Sequence, residues 1–101
     1  MSLPDQPMEL FEGTVIRILP DDTKGDQHQR FVIREDSGRT LLVAHNIDVA
    51  PRVERLFEGA RVRVYGEYEW NDLGGIVHWT HTDPEDQIEG GWIEFRDERI
   101  S

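Results

Sequence analysis

The chain has no cysteine. Disulfide frameworks, thiolate metal sites and a Cys nucleophile are therefore excluded, while nothing follows about compartment. No stretch approaches the ~18 consecutive apolar residues of a membrane helix, so no membrane partner is expected. A basic start leading into an apolar segment is lacking as well, and the sequence as given carries no export signal. A cytoplasmic location is expected, or a periplasmic one if a signal peptide has been removed. Met1-Ser2-Leu3 is compatible with a cloning remnant. Gly-rich phosphate loops, Gly-x-Ser-x-Gly and His-Glu-x-x-His do not occur, nor do internal repeats or low-complexity tracts.

Lysine is nearly missing too. Ten of the eleven basic residues are arginine, a population suited to bidentate anion contacts and equally the mark of a GC-rich genome. Against them stand 21 acidic residues, for a net charge of −10. The excess sits at the ends: residues 1–12 hold three acids and no base, and residues 83–101 hold seven acids against Arg96 and Arg99. The 70 residues between them carry 11 acids and 9 bases. No dense basic face is available to release counterions, so double-stranded DNA is not an expected partner. At 101 residues the chain is one domain that can bury roughly 60–70% of its unfolded surface without disulfide or structural metal.

What is present is β-type patterning. Residues 1–12, with Pro4 and Pro7, form an extended lead-in. Strand one is expected over Thr14–Leu19, ended by Pro20-Asp21-Asp22, and strand two over Gln29–Arg34, with Phe31 and Ile33 inward and Arg30 and Arg34 outward. Asp36-Ser37-Gly38 turns the chain into strand three, Thr40–Ala44. Asn46 or Asp48 can cap a short helix through Pro51–Leu56, closed by Gly59. Strand four follows, with Val62, Val64, Gly66, Tyr68 and Trp70 on one face, and Gly66 marks a sharp bend. The loop Asn71-Asp72-Leu73-Gly74-Gly75 reverses the chain into strand five, Ile76–Thr82, and Gly90–Phe95 forms a sixth strand or a plug. Three meandering strands, a short helix and a hairpin are the element order of an OB-fold, a five-stranded Greek-key barrel. The fold expected is all-β: one OB-like barrel over residues 13–95, followed by an acidic tail at 96–101.

Four segments carry a family resemblance: Leu19-Pro20-Asp21-Asp22 with His28-Gln29-Arg30-Phe31, Leu41–Asp48 with Ala50-Pro51-Arg52, Gly66–Asn71 with Gly74-Gly75, and Val77–His81 with Asp83-Pro84. Together with Gly91-Trp92-Ile93 they resemble a small bacterial family known as domain of unknown function 3465. The resemblance implies a compact β-barrel and supplies no activity. Members often carry a further His in place of Thr82, another near Ile88, and a preceding export signal. This chain has none of these.

An OB-fold binds ligands across strands two and three, between the loops joining strands one to two and four to five. Those loops correspond to residues 20–28 and 71–75. The expected ligand-binding residues are His28, Arg30, Tyr65, Asn71 and His78, with His28 and His78 at one end of the barrel and His45 and His81 elsewhere or behind. The pair His78-x-x-His81 superficially resembles a metal site. Positions three apart face opposite sides of an unbroken strand, however, so one imidazole is expected against a tryptophan and the other at the surface. No metal and no cofactor are expected. Trp70, Trp79 and Trp92 are expected in the core, Trp92 as a barrel-end plug. The functional reading is an OB-like binding module, non-enzymatic, for a small or oligomeric ligand such as single-stranded nucleic acid, or for a protein partner. The alternative is a metal-dependent phosphodiester or related hydrolase drawing on Asp21, Asp22, Arg30, Arg34 and Asp48.

Overall fold

A computed structural model describes residues 7–101. The first six residues, including the suspected cloning remnant and the start of the expected lead-in, lie outside the described residues. Seven strands form one sheet: β1 Met8–Asp22, β2 His28–Glu35, β3 Thr40–Asn46, β4 Arg61–Glu69, β5 Ile76–His78, β6 Trp92–Phe95 and β7 Glu98–Ile100. Their order is β1-β2-β3-β5-β4-β6-β7, and β1 also pairs with β4. Five strands therefore close a ring, β1-β2-β3-β5-β4 and back to β1. The β3–β5 contact is parallel, whereas every other pairing is antiparallel.

Closure rests on β1, which at 15 residues is more than twice the length expected from its β-branched stretch. Its first half runs beside β4, from Met8↔Glu67 to Thr14↔Arg61, and its second half runs beside β2, from Gly13↔Glu35 to Asp22↔His28. Residues 8–12, expected as lead-in, are thus part of the ring. At Gly13 the two ladders overlap, and a Cβ there would stand 2.5 Å from the Arg34 carbonyl oxygen. Glycine is what allows the neighbouring strand to pass that close.

Inside the ring, alternating residues meet. Phe31 and Ile33 from β2, Leu41 and Val43 from β3, Val62 and Val64 from β4, and Val77 from β5 are all buried with Phe11 and Val15. Arg30 and Arg34 point outward as expected. Each of these apolar side chains contributes roughly 1.5–3 kcal/mol by leaving water. The β6–β7 hairpin adds Ile93 and Phe95 to the same cluster.

Several expectations need correction. Residues 51–56 contain no helix. The backbone there is claimed by a side chain: Gln29 Nε2 donates to the Val53 carbonyl while the Val53 N–H donates to Gln29 Oε1. Arg55 also adopts a left-handed φ of 59°, which a helix cannot accommodate. Trp70 lies one residue past the end of β4, where alternation no longer applies, and is 71% exposed. Trp92 is not a plug. It alternates outward from Ile93 and stacks on Tyr65 with ring centroids 5.7 Å apart. Strand five stops at His78 because Trp79 turns to φ 58°. Residues 96–101, expected as an acidic tail, contain β7, reached through a two-residue turn at Arg96 and Asp97 with φ 54° and 63°.

Two consequences are measurable. Trp79 is 5% exposed, so Trp79→Ala should cost roughly 3–5 kcal/mol in denaturant unfolding, whereas Trp70→Ala should stay within about 0.5 kcal/mol of the parent. In the β6–β7 turn both central residues have positive φ, the pattern that favours glycine at the second position. Asp97→Gly should therefore raise stability by about 0.5–1 kcal/mol, visible as a higher unfolding midpoint.

Candidate functional site

The outward faces of β2, β3 and β5 share one groove of about 260 Å³, lined by Asp22, His28, Arg30, Leu42, Ala44, Glu69, Ile76 and His78. Register explains the assembly. Arg30 pairs with Ala44, Leu42 with Ile76, Ile76 with Glu69, and His28 with Asp22. Because strand side chains alternate, His28 and Arg30 lean outward while Gln29 and Phe31 are buried between them. Leu42, Ala44 and Ile76 make an apolar floor, and charged or titratable groups stand around it.

Hydrogen bonds orient those groups. Arg30 Nε donates to the Pro20 carbonyl at 3.0 Å. His28 Nδ1–H donates to the Asp26 carbonyl at 2.9 Å, which leaves Nε2 of the neutral ring with its lone pair. Asp22 accepts from the Lys24 N–H at 3.0 Å. His78 Nε2 stands 2.7 Å from Glu67 Oε1 and 3.5 Å from Glu69 Oε2. The shorter contact is close enough for an ion pair but is poorly aligned for a hydrogen bond. Glu67 is 5% exposed, and a carboxylate at such depth is costly without a cationic neighbour.

Behind β5 lies a buried polar layer. The turn at Trp79 breaks the strand alternation, so Trp79, Thr80 and His81 are all buried in succession. His45 Nε2–H donates to the Pro51 carbonyl at 2.8 Å, and Thr80 Oγ1–H donates to His45 Nδ1 at 2.8 Å. A carbonyl can only accept, so this geometry places a proton on Nε2, and in the neutral ring Nδ1 is then the acceptor for the Thr80 hydroxyl. Burial pushes His45 below the ordinary histidine value, with the nearby His81 and His28 charges adding. His81 donates from Nδ1 to the Thr82 carbonyl at 2.8 Å and packs against Trp79 at 4.8 Å between centroids. Burial lowers its pKa also, and the charges of His28 and His78 add to that effect. The four imidazoles therefore lie within electrostatic reach, His28 and His78 on the groove and His45 and His81 beneath it. One member of the His78/His81 pair is tucked against a tryptophan while the other reaches the surface.

The sequence-expected residues separate into two groups. His28, Arg30 and His78 line one groove. Tyr65 does not join them, because it stacks on Trp92 where β4 meets β6. Asn71 shapes its own loop, its Oδ1 accepting from the Leu73 and Gly75 N–H groups at 2.8 and 3.0 Å. Of the hydrolase candidates, Asp21 pairs with Arg52, Asp48 accepts from the Gln27 N–H, and Arg34 is exposed. Among the described residues, no three His, Asp or Glu side chains are grouped to hold a metal ion. Glu69 and the apolar floor escaped the sequence reading, although alternation from His28 and His78 carries the signal for the floor. Asp83, left unused there, is a local organiser: it accepts from the Glu85, Gln87 and Ile88 N–H groups, and these bonds hold its pKa down.

Both buried histidines have pKa values below the unfolded value of about 6.5. Their contribution to stability is complete above that value and is lost as the pH falls below it, because the unfolded chain then binds protons that the folded chain refuses. Between pH 7.5 and 5 the unfolding free energy should fall, with a slope reaching at most about 2.7 kcal/mol per pH unit if both rings count fully. Chemical denaturation across that range measures it, and His45→Gln should reduce the slope.

No curated protein matches the chain. Residues 9–101 match a family described as "Protein of unknown function (DUF3465)". With that match running through every strand, from the first half of β1 to the β6–β7 hairpin, the chain belongs to the DUF3465 family.

Proposed function

We propose that the protein is a non-enzymatic binding module, its five-strand ring an OB-type Greek-key barrel whose groove takes a small ligand or one unit of an oligomeric one. The observation that carries this reading is the groove's position. An OB-fold binds across strands two and three, between the loop joining strands one and two and the loop joining strands four and five. Here the lining comes from β2, β3 and β5, while Asp22 and Glu69 stand where those two loops begin. The strand order and the parallel β3–β5 contact also support the barrel reading.

Residue chemistry narrows the ligand. The floor of Leu42, Ala44 and Ile76 suits a flat apolar body, and Arg30 and His28 suit an acceptor or anionic group. The loop between Glu69 and Ile76 begins and ends on the groove, and it exposes Trp70 at 71% and Leu73 at 89%. An exposed indole at a groove rim is a stacking surface worth about 1–3 kcal/mol per base or similar ring. The hydrolase reading requires carboxylates and histidines grouped to hold a metal, and although His78 lies near Glu67 and Glu69, no three His, Asp or Glu side chains among the described residues are so grouped.

The test uses octathymidylate and benzoate as probes in separate amide NMR titrations, with tryptophan fluorescence of the parent and of Trp70→Ala in parallel. Shifts confined to Arg30, Ala44, Ile76 and the Trp70 loop, with binding weakened at least about tenfold by Trp70→Ala, are expected. Silence of those resonances at millimolar concentrations of both probes defeats the binding reading. Turnover of bis(p-nitrophenyl) phosphate with Mn²⁺ would instead favour the hydrolase.

A further inference from the structure

A second concavity of about 520 Å³ lies between residues 51–55 and the β6–β7 hairpin. It shares no residue with the groove. Four arginines line it, Arg52 and Arg55 from one side and Arg96 and Arg99 from the other. In a chain of net charge −10, this is a local concentration of positive charge. Glu54 and Glu98 also line the cleft and offset half of it.

The guanidinium groups are held in different ways. Arg52 pairs with Asp21. Arg99 lies 3.9 Å over the Trp92 ring and touches Glu94 at 3.3 Å. Arg96 sits over Phe57 and Phe95 at 5.5 and 5.2 Å. Among the described residues, neither Arg55 nor Arg96 has a carboxylate partner. A guanidinium seated on a ring face is oriented by it, and its in-plane N–H donors remain available for an oxyanion.

Two of these arginines have positive φ, Arg55 at 59° and Arg96 at 54°. At Arg96 the sign follows from the two-residue β6–β7 turn, whereas Arg55 lies between β3 and β4, outside any hairpin, in a region where a non-glycine residue is uncommon.

We propose that this cleft binds a small ligand carrying two linked phosphate groups. Bidentate forks match phosphate oxygens, and each of two separate segments brings one guanidinium with no carboxylate partner among the described residues, Arg55 and Arg96, beside Arg52 and Arg99, which hold Asp21 and Glu94. The space exceeds what a single phosphate fills, and Phe95 and Ile100 supply an apolar wall for the rest of the ligand. A duplex does not fit this pattern, since a chain of net charge −10 offers no extended basic face.

Isothermal titration of the full chain with pyrophosphate, in about 0.1 M salt, tests the assignment, with inorganic phosphate as the comparison. Saturable pyrophosphate binding at least about tenfold tighter than phosphate is expected. The double variant Arg55→Asn/Arg96→Asn keeps residues that tolerate the left-handed backbone, so it should remain folded by circular dichroism and bind at least about tenfold more weakly. Arg30→Gln, in the other groove, should bind as the parent does. No saturation by about 10 mM pyrophosphate, equal affinity for phosphate, an unaffected double variant or loss of binding in Arg30→Gln would each overturn the proposal.

Discussion

The double use of β1 is the constraint on which everything else depends. One strand of 15 residues serves as a neighbour to β4 with its first half and to β2 with its second. Without the second pairing the sheet would be open, and the outward faces of β2, β3 and β5 would have no fixed curvature. The overlap at Gly13 and Thr14, which pair in both ladders, is where the strand passes from one partner to the other. A bulge between Val15 and Arg17 follows at once, consistent with a strand that has to bend there.

The fold was legible wherever alternation was strict. Phe31, Ile33, Val62 and Val64 alternate without a break, and their inward orientation follows from period two alone. It was not legible where a tertiary partner overrode a local preference. Residues 51–56 have a plausible cap and a terminal glycine, yet the Gln29 side chain, distant in sequence, takes both backbone groups of Val53. Nothing local announces that bond. Trp70 continues the alternation on paper, but β4 ends at Glu69, and the ring faces solvent. The first half of β1 was missed because the prolines before it and its acids resemble an extended tail, although Phe11 carries the inward signal.

The candidate site shows the same division. His28, Arg30 and His78 were legible from strand position, since each lies at an outward register near the same ring edge. Tyr65 lies away from the groove, in a neighbourhood covered by β6, which was expected only as a short strand or plug. Once β6 pairs with β4, Tyr65 and Trp92 stack side by side, and β4 carries a different surface from the groove. The chain thus presents two chemically distinct regions: an imidazole-rich groove with a buried carboxylate under it, and an arginine–aromatic region built on β4, β6 and β7. A near-balanced middle with acidic ends, visible in the sequence, did not foretell that Arg96 and Arg99 of the acidic C-terminal stretch would join Arg52 and Arg55.

Ring closure also limits the open strand edge that the sheet presents. An open sheet offers a row of unpaired N–H and C=O groups at each side, and such rows recruit further strands. Here the first half of β1 is taken by β4 and the second half by β2, and β4 divides one flank between β5 and β6. Among the described residues, β7 forms the outer limit of the sheet, and it is three residues long with Glu98 and Arg99 exposed. A strand that short and that charged is a poor template. The geometry that curves the groove therefore also shortens the open strand edge on which edge-to-edge pairing depends.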